Sequence, residues 1–208
     1  MDVAQRQQAS PSHPGAAGPF RYLEEVVAQA RFRTVAPAHL TTLYKAPVPC
    51  TAVVIACFRG DGSLLMLRAA GSDSAWDLPH GVLPKGQEPA PYATQLLAEL
   101  GGVRAAAPLR LFGMIDWGPA AIAAGWGWTA CLIGDVGAIQ ALPGHPWVSG
   151  RAFVPLPEAL RRAVPDLWYT LKRKTLEEAS AVFDADRDFW LLQTLAALSL
   201  ADRDDVLG

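Results

Sequence analysis

The chain has 208 residues, a formal net charge of −2 and 51% hydrophobic residues. That balance excludes disorder as a whole-chain state, because disordered chains are poor in apolar residues and rich in net charge, and it suffices for one domain with additions or two small ones. It also argues against a dedicated nucleic-acid binder, which needs a basic surface, and no uncharged apolar run of about 18 residues exists to span a membrane.

Residues 1–19 are rich in Gln, Ser, Pro, Gly and Ala and read as a flexible tail with no apolar stretch of a secretory signal. Apolar residues at 20, 23, 26, 27 and 30 recur with a helical period, which predicts a short amphipathic helix over Phe20–Phe32. Residues 34–49, with Pro37, Pro47 and Pro49, read as an irregular connector. Thr51–Phe58 and Ser63–Leu67 are apolar, β-rich runs around Arg59-Gly-Asp-Gly, a hairpin. Glu88–Leu100 reads as a helix, with Pro89 and Pro91 in its first turn and Gly101 and Gly102 ending it. Leu109–Trp117, Gly125–Ile133 and Ala152–Leu156 read as strands, the last followed by a small helix. Leu167, Trp168, Leu171, Thr175, Ala179 and Val182 share one face of a later helix. Asp188 is placed to cap a final helix, Phe189–Leu200, apolar almost all round and suited to the core or to a homodimer. Cys50, Cys57 and Cys131 form no CxxC pair, and their apolar neighbours predict reduced, buried thiols in a cytoplasmic protein.

The stretch that carries chemistry is residues 76–103, WDLPHGVLPKGQEPAPYATQLLAELGGV. It resembles the Nudix family, in which Trp-x-Leu-Pro-Gly-Gly leads into Gly-x5-Glu-x7-Arg-Glu-U-x-Glu-Glu-x-Gly-U, where U is bulky and apolar. Trp76, Leu78, Pro79 and Gly81 match the lead-in, Gly86 the second turn, Leu97 the U position, and Glu99, Gly102 and Val103 the end. The spacing holds without a gap, and the resemblance covers roughly residues 50–165. It implies a Nudix-like α/β/α sandwich with a mixed β-sheet over 50–165, flanked by an N-terminal helical arm and connector (20–49) and a C-terminal helical extension (166–208). It also implies Mg²⁺- or Mn²⁺-dependent attack of water on a diphosphate.

The departures fall on the metal face. Gln87 stands for Glu, Gln95 and Leu96 for Arg-Glu, and Leu100 for the last Glu, leaving Glu99 as the one acid in place. Positions 96, 99 and 100 are neighbours on one helical face, and hard divalent cations need several oxygens there. Glu88 and Asp116 are the candidates for relocated ligands, whereas Asp77 and Asp135 read as solvated or capping acids. The box thus points away from diphosphate hydrolysis and toward binding, or metal-independent chemistry on an aromatic or nucleotide-like small molecule, with no cofactor. The alternatives are a weak Mg²⁺- or Mn²⁺-dependent hydrolase of nucleoside diphosphate derivatives, and a non-catalytic dimeric interaction module.

On the binding reading, Tyr92, Leu96 and Leu100 line a pocket or pack beneath another segment. Trp117, Trp126 and Trp128, with Phe112 behind, form the opposite wall or belong to the core. Trp126 and Trp128 are two apart and share a strand face if both lie on a strand. His80 replaces the first Gly of the family's pair, beside Gly81, either as an acid/base or ligand contact or as a turn residue. Glu99 and His80 are the catalytic candidates. His145 reads as a loop residue, Lys172-Arg-Lys174 as a solvated face, and Cys57 and Cys131 as packing residues. Asp184-Ala-Asp-Arg-Asp188 lacks the Gly and the final Glu of a calcium loop and reads as helix capping.

Overall fold

The structure is a computed structural model that describes residues 26, 28–35, 48–163 and 171–187. Its strands are β1 (Arg31–Thr34), β2 (Cys50–Phe58), β3 (Leu64–Ala69), β4 (Trp76–Asp77), β5 (His80–Val82), β6 (Val103–Ala105), β7 (Arg110–Asp116), β8 (Trp128–Ile139) and β9 (Val148–Val154). Its helices are α1 (Pro89–Gly101), α2 (Gly118–Ala123), α3 (Leu156–Arg162) and α4 (171–187).

Alternation along the central strands makes two cores. Val53, Ile55 and Cys57 of β2, Leu65 and Leu67 of β3, and Ala130 and Leu132 of β8 face one side, where α1 packs with Ala93, Leu96, Leu97 and Leu100. Ala56 and Phe58, Leu64 and Met66, and Cys131 and Ile133 face the other, covered by Ala159 of α3 and by Leu171, Leu176 and Ala179 of α4. A sheet buried on both faces needs such continuous apolar runs. The main path is β1-β7-β8-β2-β3-β4, with β5 on β2, β6 on β8 and β9 on β3. β2 and β8 run parallel and the other pairs antiparallel, so the sheet is mixed, as expected.

The hairpin forms where the sequence places it. Gly62 has φ +80°, and Asp61 Oδ1 accepts the Ser63 amide at 2.9 Å and its hydroxyl at 2.5 Å. These bonds hold the Asp61 carboxyl below its ordinary pKa. The box helix starts at Pro89 with Glu88 as its N-cap, and the left-handed Gly102 returns its N–H to Ala98 O at 3.0 Å.

Three expectations are corrected. Residues 26, 28 and 29 are helical, but the chain becomes a strand at Arg31 instead of continuing as helix through Phe32. Pairing with β7 wins over local periodicity, because the Phe32 ring fills the space a side chain would take at Gly113: one ring carbon lies 2.3 Å from where a Cβ would stand. Second, the strand expected from Gly125 begins at Trp128. Gly118–Ala123 forms α2, Gly125 turns at φ +84°, and the Gly127 amide is held by Thr51 Oγ1 at 2.9 Å. Third, Asp184 and Asp186 lie within α4 instead of capping a helix; Asp186 pairs with Arg110, and Asp184 lies 3.6 Å from Arg187. The described part of the C-terminal extension, α4, is helical as expected and packs on the core, with Phe183 stacked on Phe58 at 4.5 Å. The tail 1–19, Asp188 and the expected final helix Phe189–Leu200 lie outside the described residues. No described helix is long and apolar enough to cross a membrane.

Cys57 and Cys131 are buried packing residues. Burial, helped by the Asp135 charge, pushes the Cys57 thiol up to about 12, and burial raises Cys131 as well. A raised thiol pKa leaves almost no thiolate at pH 8. Native protein treated with iodoacetamide at pH 8 is therefore expected to keep both thiols, and urea-unfolded protein to lose them; mass spectrometry of the labelled chain reads the difference.

Candidate functional site

A cleft of about 340 Å³ opens where the end of β3, the 75–80 segment, the last turn of α1, the start of β9 and α4 meet. Its shape follows from local bonding. Ser72 Oγ accepts the Ala75 amide at 3.0 Å and turns the chain back, so that Trp76 pairs with Arg68 and Asp77 with Leu67. The Arg68 guanidinium lies over the Trp76 ring, 5.9 Å from its centroid, and donates to Ser149 Oγ at 3.2 Å and Ser149 O at 3.3 Å. Asp77 accepts the Leu78 amide at 2.8 Å through Oδ1, and Oδ2 meets Lys172 Nζ at 2.6 Å; both side chains are half-buried. Leu100 supplies an apolar surface, and Trp147, 76% exposed, stands at the rim.

His80 also lines this cleft. Its Nδ1 lies 2.8 Å from Leu78 O. A carbonyl only accepts, so Nδ1 is the donor of this bond, which fixes the ring and leaves Nε2 as its other nitrogen. Polar groups of both signs around apolar and indole surfaces suit a small organic ligand.

Of the catalytic and ligand-binding candidates named from the sequence, the structure brings His80 and Leu100 to this cleft, together with the motif residues Trp76, Asp77, Leu78 and Pro79, and places the other candidates elsewhere. Leu96 is 8% exposed and lies over Gly81, where an added Cβ would stand 2.8 Å from Leu96 Cδ2 and 3.2 Å from Tyr92 Oη. Trp126 and Trp128 do not share a strand face, because Trp126 precedes β8. Trp128 belongs to the core with Leu96 and Leu100, whereas Trp126 packs edge-on against Trp117 at 6.1 Å. Trp117 donates Nε1–H to Thr129 Oγ1 at 2.9 Å. Phe112 is a core residue beside Phe32.

The acids are scattered. Glu99 is exposed and accepts Gln95 Nε2–H at 2.6 Å; Glu88 is exposed at the N-cap; Asp116 meets Arg33 at 3.0 Å and accepts the Gly118 amide at 3.0 Å. Asp135 is exposed on β8, and His145 lies in a loop, 5.4 Å from the Trp147 ring. Among the described residues no three His, Cys, Asp or Glu side chains gather. With apolar, buried Leu96 and Leu100 on the metal face and an amide at Gln87, the donor set does not fit a Mg²⁺ or Mn²⁺ ion.

Two readings change. Lys172 is not part of a solvated face but reaches into the cleft to Asp77, while Arg173 and Lys174 form i,i+4 pairs with Glu177 and Glu178. The indoles of the cleft are Trp76, read in sequence only as a marker of the fold, and Trp147. The available signal for Trp147 was its place beside Pro146 in a loop outside any apolar period.

No family model and no curated protein matches the sequence. Solved structures do resemble the fold. The pyrophosphohydrolase BsRppH of Bacillus subtilis superposes with a TM-score of 0.52 at 16% identity, over 72% of this chain and 90% of that one. A Nudix hydrolase from Nitrosomonas europaea gives 0.49 at 16% over 64% and 89%. An ADP-ribose pyrophosphatase from Streptococcus suis gives 0.45 at 12% over 63% and 89%. At such identity the first likeness speaks to architecture alone. Together with the mixed sheet between helical layers, it establishes that this chain has a Nudix-like fold.

Proposed function

We propose that the chain binds a small aromatic or nucleotide-like molecule in the cleft beside Trp76 and Trp147, independently of a divalent metal. The observation that carries this reading is the burial of Leu96 and Leu100, at 8% exposure each, on the helix face where the family pattern places carboxylates. A volume of about 340 Å³ is within the range of small-ligand sites. Indole faces favour flat ligands, the Arg68 and Lys172 cations favour an acceptor-rich edge, and the Nε2 of His80 is the ring nitrogen not taken up by Leu78 O. In this reading Glu99, held by Gln95 on the outer face of α1, takes no part.

The test is a thermal-shift panel of nucleosides, nucleotides and aromatic carboxylates, run with EDTA and again with Mg²⁺ or Mn²⁺, alongside hydrolysis assays on nucleoside diphosphate derivatives. The expected result is stabilisation by selected ligands that EDTA leaves unchanged, reduced at least about tenfold in affinity by Trp76→Ala. Metal-dependent turnover abolished by Glu99→Gln would overturn the proposal in favour of a hydrolase.

A further inference from the structure

Trp76 borders a second cleft, of about 530 Å³, between residues 72–75 and the end of α3. Two guanidinium groups line it, those of Arg161 and Arg162, and a third, that of Arg68 in the first cleft, lies over the same Trp76 ring. Arg68 and Arg162 lie 5.9 and 5.1 Å from the Trp76 ring centroid, and Arg161 lines the cleft beside them. Among the described residues, two carboxylates pair with these three cations. Glu158 serves both arginines of α3, with Arg162 Nε at 2.7 Å and Arg161 through Nη2. Asp73 is fully exposed and only approaches Arg68, at 3.9 Å. Arg161 is 75% exposed and keeps guanidinium N–H groups beyond the Nη2 contact, as Arg162 does beyond Nε. Ser72 Oγ accepts the amides of Ser74 (3.4 Å) and Ala75 (3.0 Å), which leaves its own proton to donate outward.

We propose that this second cleft is a subsite for a phosphate-like oxyanion, held by Arg161 and Arg162, with the Ser72 hydroxyl as a further donor and the Trp76 indole as its apolar wall. Arginine suits the role because its planar fork matches a tetrahedral oxyanion with two parallel, charge-assisted bonds. The local excess of positive charge supplies the attraction, and the serine adds geometry. The inference does not rest on the proposed function: it shares the Trp76 indole, but it is carried by Arg161, Arg162 and Ser72 and needs no organic ligand. The same chemistry serves a free phosphate ion or the phosphoryl group of an ester whose flat part lies along Trp76.

The experiment follows the full-length, nitrogen-15-labelled protein by NMR during titration with inorganic phosphate, with phenyl phosphate, and with sodium chloride at matched ionic strength. The expected result is a saturable movement of the Trp76 indole resonance, assigned with Trp76→Phe, and of the Ser72–Ala75 amides, with both phosphates and not with chloride. Arg162→Gln is expected to weaken binding about tenfold and Ser72→Ala about threefold, with distant resonances unmoved. Phenyl phosphate binding at least about fivefold tighter than inorganic phosphate assigns the subsite to an ester; equal affinities assign it to the free ion. Shifts that merely follow ionic strength, or phosphate affinity unchanged in Arg162→Gln, overturn the proposal. Should Arg162→Gln fail to fold, the more exposed Arg161→Gln carries the same expectation.

Discussion

Restoring glutamate at both positions of the apolar box face, Leu96→Glu with Leu100→Glu, is expected to destabilise the protein by about 4–8 kcal/mol rather than to create a hydrolase. Each leucine is 8% exposed and belongs to the core formed with Val53, Leu97 and Trp128. Each substitution gives up apolar burial and buries a carboxylate, and Leu96→Glu puts one where Leu96 now rests on Gly81. Since whole domains are stable by about 5–15 kcal/mol, the double variant sits near the limit of folding. The loss has a pH signature. Desolvation raises a buried carboxyl's folded-state pKa above its unfolded value near about 4.3, so the penalty is complete above the raised value and fades as the pH falls toward the unfolded one. Urea unfolding at pH 7.5 and pH 5 reads both effects. A double variant as stable as its parent, and active with Mg²⁺, would make this face an open metal site and defeat the proposed function.

The second large effect is expected at Arg151. From β9 its Nη1 donates to Gly101 O, to Gly102 O at 3.3 Å and to Gln140 O at 3.0 Å, so one half-buried guanidinium closes the end of α1 and ties it to the chain beyond β8. Helix ends leave carbonyls that need partners, and charge-assisted bonds are the stronger kind. Arg151→Met is expected to cost about 2–4 kcal/mol, and to speed hydrogen exchange in the last turn of α1 before other segments. Gly102→Ala strikes the same joint: the residue sits at φ +59°, and a Cβ there would lie 2.4 Å from Ala141 O and 3.0 Å from Arg151 Nη1. Because the two share contacts, the double variant should lose less than the sum of the singles. A loss under about 1 kcal/mol for Arg151→Met would show that water replaces the guanidinium without cost.

What the sequence makes legible is what local pattern controls. The two-sided apolar runs of β2, β3 and β8, the hairpin at Asp61 and Gly62, and α1 between Pro89 and Gly102 all follow from side-chain period and turn chemistry. What it hides is decided by partners far along the chain. Phe32 ends the stretch that reads as helix but is drawn into a strand by its seat on Gly113. Lys172 looks like one of three solvated cations until α4 packs and carries it to Asp77. Among the site residues, His80 and Leu100 sit in the motif, whereas Trp147 reaches the cleft only because β9 pairs with β3. A spacing of two residues brings side chains to one face only inside a strand, and Trp126 lies outside one.

The parallel pairing of β2 with β8 has a consequence for how the molecule is made. Partners such as Val54 and Cys131 are roughly 80 positions apart, and β1 meets β7 across a similar span. Contacts of that separation close large loops, and their entropy is lost before the pairing repays it. The chain should therefore fold on the slow side for its size, in milliseconds to seconds rather than microseconds. During synthesis the β2–β3 hairpin emerges long before β8, with its apolar faces and free edge exposed until the central strand arrives. That interval, rather than the finished fold, is where aggregation competes with folding.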